Sequence, residues 1–280
     1  MINGVISDQV SVLDRGLHYG DGVFETFVAI NDQLQHWDAH MQRLTMGCKR
    51  LKIPTPDANL LLKETQELLA TQNNSSETSD RSTSTKLVKK NVVKIVVTRG
   101  VGARGYKPPT TTQVTRIVAA YPFPDYPERY YSEGVKLAVC ETQLSCNPLL
   151  AGIKHLNRLE QVMAQDEWED SAIVDGIMLN SDQHIIECTM SNIYWVTNNQ
   201  LYTPDLSNCG VEGVTRANIL KLAEELQLSI TIGYFCMKDL LAADEVMISN
   251  SVFGVWPIRA IDQHNKQIGP VTLEIMQKLA

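Results

Sequence analysis

Asn147-Pro148-Leu149-Leu150-Ala151-Gly152-Ile153-Lys154-His155-Leu156-Asn157-Arg158-Leu159-Glu160-Gln161 places a single lysine at the joint between an apolar, proline-broken segment and a helical pattern. Leu156, Leu159 and Met163 follow at helical spacing while Glu160 and Gln161 fall on the other side. The spacing therefore predicts a helix that begins just after Lys154 and buries one face. Lys154 then sits at a rigid, mostly apolar corner. A lysine held there loses hydration of its ammonium form, which favours the free amine and suits it to act as a Schiff-base nucleophile. The same spacing also fits a solvated surface lysine with no chemistry, the commoner case near a helix start.

The chain around this stretch has 280 residues and a formal net charge of -7, with 44% apolar residues. That is enough for a sizeable core in one large or two modest domains. No basic run exceeds Lys89-Lys90, which argues against a nucleic-acid partner bound through its phosphates. Cys48, Cys140, Cys146, Cys188, Cys209 and Cys236 are scattered without a Cys-x-x-Cys pair and read as buried small hydrophobes in a reducing compartment. Met1-Ile2-Asn3-Gly4-Val5 lacks the basic-then-apolar order of a leader, and no segment approaches membrane-spanning length. A cytoplasmic protein without a membrane partner is expected.

Residues 23–30, rich in β-branched and aromatic side chains, read as a strand, and Asn31-Asp32 turns it back into residues 33–36. Met41, Leu44, Cys48 and Leu51 mark one face of a helix capped by Asp38, and a second helix covers residues 57–71. Residues 72–90 hold almost no apolar side chains and read as a mobile surface loop. Strands follow at 92–98 and 114–121. Pro122-Phe123-Pro124-Asp125-Tyr126-Pro127 is then a stiff, extended connection. This divides the chain into an N-terminal α/β domain (1–121), a linker (122–128) and a C-terminal domain (129–280) that carries Lys154. In the latter, short strands are expected at 135–140, 176–179, 185–189 and 192–196, with Asn198-Asn199 as a hairpin turn. Gly213-Val214-Thr215 opens a helix to Leu226. A strand, a short helix and the strand at 246–249 lead to a terminal helix from Thr272.

Gly100-Val101-Gly102-Ala103-Arg104-Gly105 matches a dinucleotide fingerprint, but Tyr106-Lys107-Pro108-Pro109 forbids the helix that must follow. A glycine-rich hairpin fits better. His36 and His40 are four apart, yet no further ligand motif completes a metal site, and a surface or capping role is expected for both. There is no nucleophile elbow.

The run from Asn147 to Gln161 resembles the lysine segment of the aminodeoxychorismate lyases, members of the fold-type IV, or class IV aminotransferase, family of pyridoxal phosphate enzymes. Other runs carry the resemblance in the same order, from Asn3 to Ser251. They are Asp14-Arg15-Gly16-Leu17-His18-Tyr19-Gly20-Asp21-Gly22-Val23-Phe24-Glu25-Thr26, His40-Met41-Gln42-Arg43-Leu44, Ile185-Ile186-Glu187-Cys188-Thr189-Met190-Ser191-Asn192, Gly213-Val214-Thr215-Arg216 and Asn250-Ser251.

The resemblance implies a two-domain mixed α/β fold like that of D-amino acid aminotransferase and a homodimer. It implies pyridoxal 5'-phosphate as cofactor, held by Lys154, with Glu187 on the ring nitrogen. Arg43, Val214, Thr215, Asn250 and Ser251 would bind the phosphate, and Arg104, Tyr106 and Thr26 would meet the substrate. Lys154-His155-Leu156-Asn157 lacks the tyrosine that branched-chain aminotransferases place a few residues after the lysine. The implied reaction is therefore cleavage of 4-amino-4-deoxychorismate to 4-aminobenzoate and pyruvate, a step toward folate. A D-amino acid or branched-chain aminotransferase is the alternative.

Overall fold

The structure, a computed structural model, describes residues 1–76 and 88–279. Contacts divide these residues into two units: Met1–Pro124 with Lys154–Asn157, and Asp125–Ile153 with Arg158–Ala280. The lysine segment thus groups with the first unit. From the sequence it is expected with residues 129–280.

The first unit contains α1 (Arg15–Tyr19), β1 (Gly22–Ile30), β2 (Gln33–Leu34), α2 (Trp37–Leu51), α3 (Ala58–Ser76), β3 (Lys90–Thr98) and β4 (Thr115–Pro122). Its antiparallel sheet runs β2-β1-β3-β4. Asn31 and Asp32 both adopt positive φ, 48° and 65°, the conformation that a two-residue turn between twisted strands requires. Val23, Phe27, Ala29, Val93, Ile95 and Val97 from the sheet pack on Met41, Leu44 and Cys48 of α2 and Leu61 and Leu69 of α3. The N-cap of α2 is His36, in the left-handed region and without a side-chain cap bond, while Asp38 lies inside the first turn. Residues 72–76 continue α3 and Lys90 already belongs to β3, so the polar stretch is shorter at both ends than expected. Its remainder, 77–87, lies outside the described residues.

The second unit contains α4 (Arg129–Ser132), β5 (Val135–Val139), α5 (Leu159–Gln165), β6 (Ile173–Leu179), β7 (Ile185–Cys188), β8 (Asn192–Thr197), β9 (Gln200–Pro204), α6 (Val214–Glu225), β10 (Ser229–Gly233), α7 (Met237–Leu241), β11 (Glu245–Asn250), β12 (Gly254–Ile261), β13 (His264–Asn265) and α8 (Pro270–Leu279). The strand order is β10-β9-β8-β11-β12-β5-β6-β7, with β13 paired to β12. One face of this sheet carries a core around Trp195, Ile248, Trp256 and Ile258, and another cluster joins Tyr194, Leu201, Met247 and Val255 to Ile219 and Ala223 of α6 and Ile275 of α8. Strand β12, with Pro257 in its middle, escaped the sequence analysis.

The helix expected directly after Lys154 begins at Leu159. Its expected buried face is also wrong: Leu159 is 71% exposed and Met163 is exposed, whereas Gln161 and Ala164 are buried. Residues 154–156 do something else. Among the described residues, no helix is long and apolar enough to cross a membrane, and no group of His, Cys, Asp and Glu is placed to hold a metal ion.

Candidate active site

Lys154 lies on an extended stretch paired antiparallel to β1. Phe24 N–H donates to Lys154 O at 2.9 Å, Leu156 N–H donates to Gly22 O at 3.0 Å, and Val23 faces His155 in an isolated bridge. Gly22 makes this approach feasible, because a Cβ there would lie 2.5 Å from Val97 O and 2.7 Å from Leu156 Cδ1. Asn157 Nδ2 donates to Gly20 O at 3.1 Å and pins the far end. Two backbone bonds and one side-chain bond thereby fix the Lys154 Cα. Its Nζ lies 4.7 Å from the centre of the Phe24 ring. Thr26 is two residues along from Phe24, so strand alternation puts both on one face of β1.

Glu25 points to the other face. There its carboxylate is 1% exposed. Arg43 Nε donates to Oε1 at 2.8 Å and Arg43 NH2 to Oε2 at 2.5 Å, while His40 Nδ1 is 2.7 Å from Oε2. Burial by itself would raise the Glu25 pKa, but Arg43 and then His40 hold it below the ordinary value. His40 is therefore a fully buried partner of Glu25 and has no surface or capping role. The signal was present: His40, Leu44 and Cys48 share one helical stripe. Lys154 and Arg43 thus approach β1 from opposite faces.

Loop 100–106 contains no helix, in keeping with the rejection of a dinucleotide site. It is held by Arg15, whose NH1 and NH2 donate to Gly105 O and Tyr106 O, both at 2.9 Å, while its Nε meets Asp21 at 2.8 Å. Arg104 is exposed on this loop. Tyr106 is 85% exposed, with its ring edge on Tyr19. Asp14, 1% exposed, ties the base of the loop by accepting from Thr98 Oγ1 and Thr115 Oγ1 at 3.0 and 2.6 Å.

In the second unit Glu187 is buried on β7, paired with Met178, and its Oε2 accepts from Val211 N–H at 2.8 Å. Val211 is fixed in turn. It forms a parallel bridge with Gly152, supported by Gly152 N–H to Gly210 O at 2.9 Å and Glu212 N–H to Gly152 O at 3.1 Å. Asn192 Nδ2 donates to Val211 O at 2.9 Å. The turn after Glu187 hangs on Asp175, which is wholly buried and accepts from Thr189 Oγ1 at 2.5 Å and Ser191 Oγ at 2.7 Å. Burial pushes Asp175 up to about 6, against the lowering effect of those bonds.

Helix α6 begins at Gly213, with no side chain capping it. A Cβ on Gly213 would lie 2.1 Å from Asn192 Oδ1, so only glycine lets Asn192 pack this closely against the start of α6. Thr215 Oγ1 and Ser251 Oγ stand 3.2 Å apart at this helix start. Asn250 spends its side chain on its own turn: Oδ1 accepts from Val252 and Phe253 N–H at 2.9 and 3.0 Å, and Nδ2 donates to Met190 O at 3.3 Å. It positions Ser251. Backbone amides at a helix N-terminus without a side-chain cap, together with two hydroxyls, suit a phosphate dianion, and a buried carboxylate suits a protonated ring nitrogen. The residues present fit pyridoxal phosphate. Glu25, His40, Asp175 and Asn192 were not foreseen as parts of these networks.

Residues 22–261 match the family model for class IV aminotransferases. The chain is 36% identical to an aminodeoxychorismate lyase of Vibrio harveyi over 95% of this chain and 93% of that one. The crystal structure of 4-amino-4-deoxychorismate lyase from Pseudomonas aeruginosa superposes with a TM-score of 0.90 at 40% identity, covering 100% of this chain and 97% of that one. The branched-chain amino acid aminotransferase of Escherichia coli, at 24% identity and TM-score 0.83 over 99% and 91% of the two chains, shares the fold. With its fold-type IV architecture, the chain belongs to the class IV aminotransferase family.

Proposed function

We propose that this protein is a pyridoxal phosphate-dependent lyase that converts 4-amino-4-deoxychorismate to 4-aminobenzoate and pyruvate. The likeness to two lyases over nearly the full length of all three chains carries this reading.

Lys154 would hold the cofactor covalently through Nζ, and Glu187 would take the ring nitrogen. Val214, Thr215 and Ser251 would meet the phosphate, with Asn250 holding Ser251 in place. Arg43, whose charge Glu25 already balances, is assigned to the phosphate by resemblance. When bound, pyridoxal phosphate supplies an electron sink joined to the substrate amine. Lys154 Nζ would also be the base that takes the proton from the ring carbon bearing the substrate amine. The bond from the neighbouring carbon to the ether oxygen then breaks. Enolpyruvate leaves and tautomerises to pyruvate, and the six-membered ring becomes aromatic. Glu187, whose carboxylate is buried and oriented by Val211 N–H, would be the acceptor for a proton on the ring nitrogen. Arg104, Tyr106 and Thr26 would orient the substrate, with the Arg104 guanidinium meeting a carboxylate.

A cytoplasmic homodimer belongs to this reading. The six cysteines, all free, support a reducing compartment. Exposed Val5, Ile6, Val12, Leu13 and Leu17 give the first unit an apolar surface suited to a second copy.

The test is to mix purified holoenzyme with freshly prepared aminodeoxychorismate and follow both products. Equal release of pyruvate and 4-aminobenzoate, lost after borohydride treatment and in Lys154→Ala, is expected. Amino transfer from D-alanine or leucine to 2-oxoglutarate without release of either product would move the function to an aminotransferase.

A further inference from the structure

Cys146 and Cys209 lie 63 residues apart in the chain, yet their sulfurs are 3.6 Å apart. The expectation that all six cysteines are buried small hydrophobes fails here: Cys146 is exposed, and its neighbour Cys209 is buried. No step of the reaction uses either thiol. We propose that the pair is a modification site, closed reversibly to an intrachain disulfide by a low-molecular-weight disulfide such as oxidised glutathione, and that closure disturbs the support of Glu187. The second half rests on Glu187 being the partner of the ring nitrogen.

The chemistry balances with that oxidant. Cys146, the accessible member, receives a hydrogen bond from Asn180 Nδ2 at 3.5 Å, which holds its sulfur in place beside Cys209. The thiolate attacks one sulfur of oxidised glutathione, the glutathione S–S bond breaks, and one glutathione thiolate leaves. Cys209 then loses its proton to solvent and attacks the Cys146 sulfur of the mixed disulfide, expelling the second glutathione. Two protein thiols are oxidised by two electrons, and one oxidised glutathione becomes two reduced ones. Burial, reinforced by Cys146 itself, keeps the Cys209 thiol protonated, so Cys146 reacts first.

A protein disulfide needs its sulfurs at about 2.05 Å, so closure draws them together by roughly 1.5 Å. Cys209 cannot follow alone. It is bonded to Gly210, whose O receives Gly152 N–H, and the next residue, Val211, donates to Glu187 Oε2. Gly210 sits at φ +85°, where a Cβ would already lie 2.8 Å from Ile186 Cγ2 and 2.9 Å from Leu206 Cδ2. A segment packed this tightly passes a shift at Cys209 to the amide that orients Glu187.

The experiment incubates holoenzyme in glutathione buffers of graded redox ratio, traps free thiols by alkylation and maps peptides without reduction. A Cys146–Cys209 cross-link that dithiothreitol reverses and Cys146→Ser abolishes is expected. In parallel, the visible band of the bound cofactor should shift and turnover should fall at least threefold, both reversibly, while Cys146→Ser shows neither change in oxidant. Stable glutathionylation of Cys146 without the cross-link, or a Cys146 bond between two chains, would overturn the site. A cross-link that leaves band and turnover unchanged would overturn the coupling to Glu187. Mapping does not depend on the cofactor, and Glu187→Ala with normal turnover would separately identify a failure of the Glu187 reading.

Discussion

Glu25 is a buried acid whose two oxygens are shared by Arg43 and His40. Removing one partner from a buried ion pair leaves the other charge without compensation, at a cost of about 3–5 kcal/mol. Glu25→Ala should therefore lower stability to denaturant by about that amount, far more than a surface substitution such as Glu67→Ala, which breaks an exposed pair with Lys63. The folded pKa of Glu25 is depressed, so its contribution is full above the ordinary carboxylate value and is lost as pH falls through the folded value. Burial also depresses His40, which opposes protonation in the folded state and acts in the same direction on the acid side. Asp175 has the opposite sign. Its folded value is raised to about 6 from 3.8, so the native state binds the extra proton between those values and loses stability as pH rises from about 4 to about 6, by about 3 kcal/mol. Asp175→Asn removes this titration while keeping a group able to bond Ser191. Compared with the parent protein across pH 4 to 7, its midpoint of thermal unfolding should gain relative stability as pH rises. Parallel curves would show that Asp175 stays charged at acid pH.

Helix α6 joins the phosphate end of the candidate site to the Glu187 end through Asn192, which lies beneath Gly213 and holds Val211 O. Gly213 has an ordinary φ of -65°, so Gly213→Ala strains no dihedral and acts only through its Cβ against Asn192. We expect about 1–3 kcal/mol of overpacking and at least tenfold weaker cofactor retention, read by titrating apoenzyme with pyridoxal phosphate. With Ser251 on the phosphate, as proposed, Ser251→Ala would remove one bond to a charged group, worth about 1.5–3 kcal/mol, and should weaken retention about tenfold or more with little loss of fold stability. Elements of this kind were legible in the sequence because their signals are local. Gly213-Val214-Thr215 opened a helix, Asn31-Asp32 and Asn198-Asn199 turned hairpins with positive φ, and Met41, Leu44 and Cys48 marked a buried stripe. The signals that failed depended on distant partners. Residues 154–156 take no helix because β1 offers them backbone bonds, and α5, which starts at Leu159, buries Gln161 and Ala164 and leaves Leu159 exposed. The strand expected at 176–179 extends back through Asp175 into β6, since the donors that make a buried aspartate tolerable come from residues 189 and 191.

At the scale of the whole molecule, chain order does not fix which residues fold together. Lys154–Asn157 is enclosed in sequence by the second unit and packs with the first. No composition break could reveal that, because the attachment is four residues long and is made by main-chain bonds to Gly22 and Phe24. The same first unit carries the apolar run whose exposure supports association of two copies. Val5, Ile6, Val12, Leu13 and Leu17 are between 55% and 70% exposed, and exposed apolar surface of this kind, where contiguous, marks an interaction site. Leu17 lies on α1, beside the cap formed by Asp14 and the ion pair of Arg15 with Asp21, and makes no part of either. Leu17→Glu should therefore leave the fold intact and place a charge in the apolar surface. Sedimentation velocity should then report twice the chain mass for the parent and an equilibrium shifted at least tenfold toward single chains for the variant, with unchanged far-ultraviolet circular dichroism. A parent that sediments as a single chain at micromolar concentration would remove the homodimer from the proposed function and leave this apolar run without a second copy to cover it.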